Sequence, residues 1–209
     1  MLKAIVFDFG NVLYDLDIDL FNQNLSVLLE DDFKNGYPET LVNTVIKYDS
    51  GQINTETFIW NIQNYKNGQL DPRSIINNWN SLLKSFPPNR WSFLAELKKK
   101  YKLFLLSNIN ELHLETAYKH IHKVHGLIDF ETRYFDGVFY SHLIKKAKPA
   151  KEVYKFLEEV TGIAGNELIF IDDREENVIG ARKSGWNAVL HNPKHNIEEV
   201  FQNYIEKFQ

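Results

Sequence analysis

The 209-residue chain is predicted to fold as an α/β protein: a doubly wound, Rossmann-like parallel sheet carrying an inserted α-helical bundle. Three observations predict this. Short apolar runs recur along the chain without polar alternation, as strands buried on both faces do. Amphipathic helical patterns separate those runs. One long stretch, 18–85, breaks the rhythm and reads as helix without a convincing strand.

The strands are expected at 3–7 (KAIVF), 103–106 (LFLL), 137–140 (GVFY), 168–171 (LIFI) and 187–190 (NAVL). Val153, Phe156, Leu157 and Val160 fall at i, i+3, i+4 and i+7 and predict a helix. Ile197, Val200, Phe201, Tyr204, Ile205 and Phe208 continue one stripe and predict a last helix. Within the insert, 40–47 reads as helix. Phe58, Ile59, Ile62 and Tyr65 share a helical face, and so do Ile75, Ile76, Trp79, Leu82 and Leu83. Gly51, the Asn67-Gly68 pair and Asp71-Pro72 punctuate these helices, and Pro87-Pro88 marks the return to the sheet. The expected division is a core of 1–17 and 86–209 with a helical cap at 18–85. Trp60 and Trp79 are expected in the core of that cap, and Lys98, Lys99 and Lys100 at a solvated helix end.

Composition narrows the function. Apolar residues make up 44% and charged residues 25%, ordinary globular usage that disfavours disorder and coiled coil. With no Cys, a disulfide framework, a Cys-ligated zinc site, an iron–sulfur cluster and a Cys nucleophile are excluded. A net charge of −4 argues against a nucleic-acid partner. No run approaches the roughly 18 apolar residues of a membrane-spanning helix. The apolar run before Asp8 is too short for a secretory leader, so a cytoplasmic location is expected.

In sheets of this kind ligands collect beyond the carboxyl ends of the strands. Asp8 follows the first strand. Ser107 and Asn108 follow the second run. Lys148, before Pro149, follows the third. Asp172 and Asp173 follow the fourth, with Asn177 shortly after. Each alone is ordinary turn or cap chemistry. As an ordered set they make a phosphoryl-transfer site. An Asp can attack phosphorus as a covalent nucleophile. Mg²⁺ takes hard oxygen ligands, which Asp8, Asp173 and a carbonyl near Gly10 can supply. Lys148 adds positive charge, and Ser107 with the amides of the following turn can hold a phosphate oxygen.

These residues resemble the four motifs of the haloacid dehalogenase (HAD) superfamily: FDFGNVL at 7–13, LLSN at 105–108, Lys148-Pro149, and IDDREEN at 171–177 with GARKSGW after it. The insert between the first two motifs is similar to the helical cap of one HAD subclass. Within it, DxGNVxxDxD, LSNxN and DDxxxN look most like bacterial sugar-phosphate phosphatases of the α-glucose-1-phosphate phosphatase group. The resemblance implies roles. Asp8 is the nucleophile and a metal ligand, and Gly10 lends its carbonyl to Mg²⁺. Ser107 and Asn108 bind the phosphoryl group and Lys148 neutralises charge. Asp173 binds Mg²⁺, and Asp172 supports it. The implied substrate is a small phosphorylated metabolite, and the implied assembly a monomer or homodimer.

Gly10 departs from the commoner form of the first motif, in which an Asp general acid stands at that position and a Thr stands where this chain has Val12. Its absence predicts that leaving oxygens tolerant of charge are favoured, a sugar 1-phosphate over a 6-phosphate. Asp15 and Asp17 are the candidate substitutes, and otherwise hinge or helix-cap carboxylates. Lys145 stands where relatives often carry Gly. His120, His122 and His125, with His113 nearby, suggest a metal site only weakly, because i and i+2 rings on a helix point apart. Two competing functions are a metal-independent dehalogenase using Asp8 on carbon and a HAD-fold binding protein that lost turnover with its acid. A dehalogenase has no reason to gather carboxylates that repel one another without a cation.

Overall fold

The computed structural model describes residues 1–65 and 68–208. Asn67 of the expected Asn-Gly turn lies outside the described residues. In chain order the elements are β1 (Ala4–Phe7), β2 (Asp15–Leu16), α1 (Ile18–Leu29), α2 (Glu39–Asp49), α3 (Thr55–Tyr65), α4 (Pro72–Asn80), β3 (Leu83–Ser85) and α5 (Asn89–Lys98). There follow β4 (Lys102–Ser107), α6 (Glu111–His125), α7 (Phe130–Tyr134), β5 (Gly137–Tyr140), α8 (Ser141–Ile144), α9 (Lys151–Thr161), β6 (Leu168–Asp172), α10 (Glu175–Lys183), β7 (Asn187–Leu190) and α11 (Ile197–Ile205).

The five expected strands form one sheet in the order β5-β4-β1-β6-β7, and every pairing is parallel. Successive side chains of a strand point to opposite faces, so each strand feeds two cores. Ile5, Phe7, Leu103, Leu105, Ile169 and Ile171 pack on one face with residues of α5, α6, α7 and α11. Ala4, Val6, Phe104, Leu106, Leu168 and Phe170 pack on the other with α9 and α10. The apolar runs lack alternation because both faces are covered. Lys98 does more than end a solvated helix. Its Nζ donates to the carbonyls of Arg133 (3.2 Å) and Phe135 (3.1 Å), closing the end of α7.

The insert builds a third core from Leu25, Leu29, Leu41, Tyr48, Phe58, Ile62, Ile75 and Trp79, with Leu112 of α6 joining it. Three expectations for this region are corrected. The stretch does contain a strand: β3 pairs antiparallel with β2 at the base of the helices. Strands of three and two residues are too short to show period-2 patterning. Helix α4 stops at Asn80, so Leu82 and Leu83 leave its face and Leu83 opens β3. Trp60 is 61% exposed and lies outside the cap core, whereas Trp79 is 6% exposed and inside it.

Cap and core meet at defined contacts. Lys145 Nζ donates to the Gly51 carbonyl (2.5 Å), Leu112 N–H donates to Tyr48 Oη (3.2 Å), and Trp79 stacks on His113 at 5.3 Å between ring centroids. Gly51 has φ +65°, and a Cβ there would lie 2.2 Å from the His142 carbonyl oxygen, so only glycine fits the seam. Lys145 adopts φ 55°, the left-handed conformation that a Gly takes without strain. No described helix is long and apolar enough to cross a membrane.

Candidate active site

The site lies where the central strands end. Asp8 follows β1 directly, and its N–H donates to the Ile171 carbonyl (2.9 Å), which extends the strand pairing by one residue. Lys148 reaches it from the loop between α8 and α9. The Lys148 ammonium donates to Asp8 Oδ1 (2.7 Å), Asp172 Oδ2 (2.6 Å) and the Leu106 carbonyl (2.8 Å). An ammonium has three donors, and all three are used. The group therefore acts on a phosphate through its charge and through Asp8.

Asp172 is fully buried. Beyond Lys148 it accepts two bonds from Asn177 Nδ2, each 3.0 Å, and one from the Arg174 N–H (2.8 Å). Its oxygens are committed, which makes it the residue that holds Lys148, with Asn177 holding it in turn. Asp173 is more open, and its Oδ2 accepts from Asn11 Nδ2 (3.0 Å). Asn11 stands in the left-handed conformation at φ 56°, which Asn tolerates better than most residues. Asn11 lies inside the first motif, yet its link to the fourth motif is long-range and carries no sequence signal.

Ser107 ends β4 and is buried at the site. Asn108 follows it. Its side chain clamps the Lys148 backbone, donating Nδ2 to the Lys148 carbonyl (2.8 Å) and accepting the Lys148 N–H at Oδ1 (2.9 Å). The side-chain amide is thus a positioning group. A Cβ at Gly10 would lie 2.9 Å from Leu16 Cδ1, so a larger residue there requires the Leu16 side chain to move. Leu16 fills the space where an acid would begin. The candidate substitutes are occupied elsewhere: Asp15 pairs with Arg90 (2.9 Å), and Asp17 caps α1 through the Leu20 N–H (3.0 Å).

Electrostatics sets the site apart. Asp8, Asp172 and Asp173 each offer an oxygen within 4.8 Å of the others, the one such group of metal-capable side chains among the described residues. Burial pushes the Asp8 carboxyl up to about 7. Lys148 opposes this, and Asp172 and Asp173 add to it. Asp173 is raised as well, first by burial, then by the Asp172 charge against the Asn11 bond. Burial alone would lower Lys148, but the Asp172 and Asp8 carboxylates hold it above the usual ammonium range. Three carboxylates against one ammonium leave a deficit of positive charge that hard, oxygen-bound Mg²⁺ suits. The donor set fits Mg²⁺ through Asp8 and Asp173.

The histidines form no such group. His113 is buried between Asn110 (3.1 Å) and the Trp79 carbonyl (2.9 Å). His120 bonds Tyr14, and His125 bonds the Phe86 carbonyl (3.0 Å).

A cleft of about 320 Å³ opens between the cap helices and the loop after β6. Phe21, Leu41, Val45 and Trp79 line it, and Asp49 and Arg174 are its charged groups. Asp49 ends α2, and its Oδ1 accepts from Asn110 Nδ2 (2.8 Å). Sequence reading missed it, because a carboxylate at the end of a cap helix resembles any solvated one.

Known proteins place the chain. A D-ribitol-5-phosphate phosphatase of Bacteroides thetaiotaomicron is 25% identical over 193 residues, covering 90% of this chain and 91% of that protein. A crystal structure of a HAD family enzyme from the same organism, in complex with magnesium and inorganic phosphate, superimposes with a TM-score of 0.81 at 25% identity. That match covers 96% of this chain and all of the other. A 2-haloacid dehalogenase of Pseudomonas syringae shares the fold with a TM-score of 0.64 at 15% identity and full coverage of both chains. The family model for haloacid dehalogenase-like hydrolases matches residues 2–185. With that match spanning most of its length, the chain belongs to the haloacid dehalogenase-like hydrolase family.

Proposed function

We propose that this hydrolase is a Mg²⁺-dependent phosphomonoesterase that works through an aspartyl-phosphate on Asp8. One observation carries the reading: Asp8, Asp172 and Asp173 offer oxygens within 4.8 Å of one another, and the Lys148 ammonium pairs with only Asp8 and Asp172. A site that gathers negative charge in this way is built for a cation, and a phosphate ester brings anionic oxygens that need one.

In this mechanism the Asp8 carboxylate attacks phosphorus. The ester P–O bond breaks, the alcohol leaves, and Asp8 becomes an acyl phosphate. Water then attacks phosphorus, releasing inorganic phosphate and the free carboxylate. Lys148 orients Asp8 and stabilises its charge, with Asp172, Asn177 and Asn108 fixing the ammonium and its backbone. Asp8, Asp173 and the Gly10 carbonyl would hold the metal, which would supply positive charge to the phosphoryl oxygens. Ser107 and the amides of its turn face the same oxygens. The segments 1–17 and 86–209 act as the catalytic core and 18–85 as the cap that screens substrates.

The relative's name points to a small polyol or sugar phosphate as substrate, and the cytoplasm, where such metabolites are held, as the compartment. All the proposed groups come from one chain, so a monomer suffices and a homodimer is compatible. The dehalogenase reading loses ground to the acidic cluster, which carbon chemistry on Asp8 does not need. Asp8→Asn tests the proposal. Asn is nearly isosteric but cannot form the acyl phosphate, so phosphate release in Mg²⁺ should vanish while the circular dichroism spectrum persists. Retention of most of the activity overturns the covalent mechanism.

A further inference from the structure

We infer that Asp49, supplied by the cap, is the general acid and base of this site, standing in for the acid that Gly10 lacks. The inference rests on the phosphatase reading above. Its basis is placement. In the sheet, β4 and β6 flank β1, so the loops after β4 and β6 leave the sheet at the same carboxyl edge as Asp8. Asp49 is held against residues of those two loops. Asn110, three residues past the end of β4, donates to its Oδ1 (2.8 Å). Arg174, two residues past the end of β6, lines the same cleft and attracts its charge. Ser141, which opens α8 after β5, donates to the Asp49 carbonyl and fixes the backbone at that point.

The other places for an acid are closed. Leu16 fills the space beside Gly10, Asp15 is paired with Arg90, and Asp17 is a helix cap. Burial, opposed by the Asn110 bond and by Arg174, pushes the Asp49 carboxyl up to about 6, near the working range of a general acid. The other ionisable groups around this corner are Tyr48 beside it on α2, Lys145 and His142 against Gly51, and Glu111 against Thr55.

The proton balance closes over two steps. Protonated Asp49 gives its proton to the leaving oxygen as the ester bond breaks and Asp8 takes the phosphoryl group. Asp49 carboxylate then accepts a proton from the water that attacks phosphorus, and Asp8 is released. An alkyl ester, whose alcohol is a poor leaving group, depends on this proton far more than an aryl ester does. On this inference the expected preference for a sugar 1-phosphate over a 6-phosphate disappears: primary alkyl phosphates should be good substrates.

The test compares Asp49→Asn and Asp49→Ala with wild type on glucose 6-phosphate, ribitol 5-phosphate and p-nitrophenyl phosphate, all with Mg²⁺. The amide that Asp49→Asn introduces can still accept from Asn110 but has no carboxyl proton. For the better alkyl ester, kcat/KM should fall by about 10²–10⁴-fold in Asp49→Asn, mostly in kcat. The aryl ester should lose at least tenfold less. Equal losses for both esters, or a fall only in Asp49→Ala, would mean that Asp49 merely docks the cap and would overturn the assignment. No phosphate release from any ester by wild type would instead sink the phosphatase reading itself.

Discussion

Asp173 and Asn177 lie four residues apart and should fail in different ways. Asp173 is the open carboxylate of the pair and a proposed Mg²⁺ ligand, whereas Asn177 Nδ2 bonds only Asp172. Asp173→Ala should shift the Mg²⁺ concentration for half-maximal activity upward by tenfold or more. Asn177→Ala should leave that concentration within a few-fold but lower kcat, because it loosens Asp172 and so Lys148. A Mg²⁺ titration of both variants checks this, and equal shifts would contradict the assignment. Gly10→Asp, which restores the commoner motif, should destabilise the chain by about 1–3 kcal/mol because its Cβ runs into Leu16. Pairing it with Leu16→Ala should recover part of the loss in a urea unfolding series. Most residues of the candidate site were legible in the sequence because each follows a buried strand and carries unusual chemistry. The uses of Asn11 and Asn108 were not, since an amide reads alike whether it holds a ligand or a neighbouring backbone.

At the scale of elements, the five core strands were legible because both faces of the sheet are covered and the runs are uniformly apolar. The β2–β3 pair was not, because a two-residue strand has no pattern to read. The contact between α4 and α6 was also invisible, and it is pH-sensitive. Burial pushes the His113 imidazole down from 6.5 to about 4, against a bond to the Trp79 carbonyl. Between those values the unfolded chain binds the extra proton and the folded chain does not, so stability falls as pH falls. At about 1.4 kcal/mol per pKa unit, the loss is at most about 3 kcal/mol between pH 6.5 and 4. The stability difference between wild type and His113→Gln, measured by urea unfolding at pH 7 and pH 5, should therefore shrink at the lower pH. A constant difference would show that His113 titrates normally.

On the proposed reading the whole molecule divides labour between a parallel sheet and a helical insert. The sheet carries Asp8, Lys148, Asp172 and Asp173 on strand ends and the loops that follow, where parallel pairing fixes their spacing. The cap adds an apolar cleft wall and one carboxylate. This division explains why the reaction class was legible in the sequence and the substrate was not: the motifs sit on sheet ends, while the cleft is assembled from α1, α2 and α4, far apart in the chain. The central claim is the covalent intermediate on Asp8. It is tested most directly by quenching the enzyme during turnover with sodium borohydride, which reduces an acyl phosphate to an alcohol, and mapping the peptides by mass spectrometry. Homoserine is expected at position 8, formed only when substrate and Mg²⁺ are both present. Unmodified Asp8 under those conditions, or reduction at another carboxylate, would contradict it.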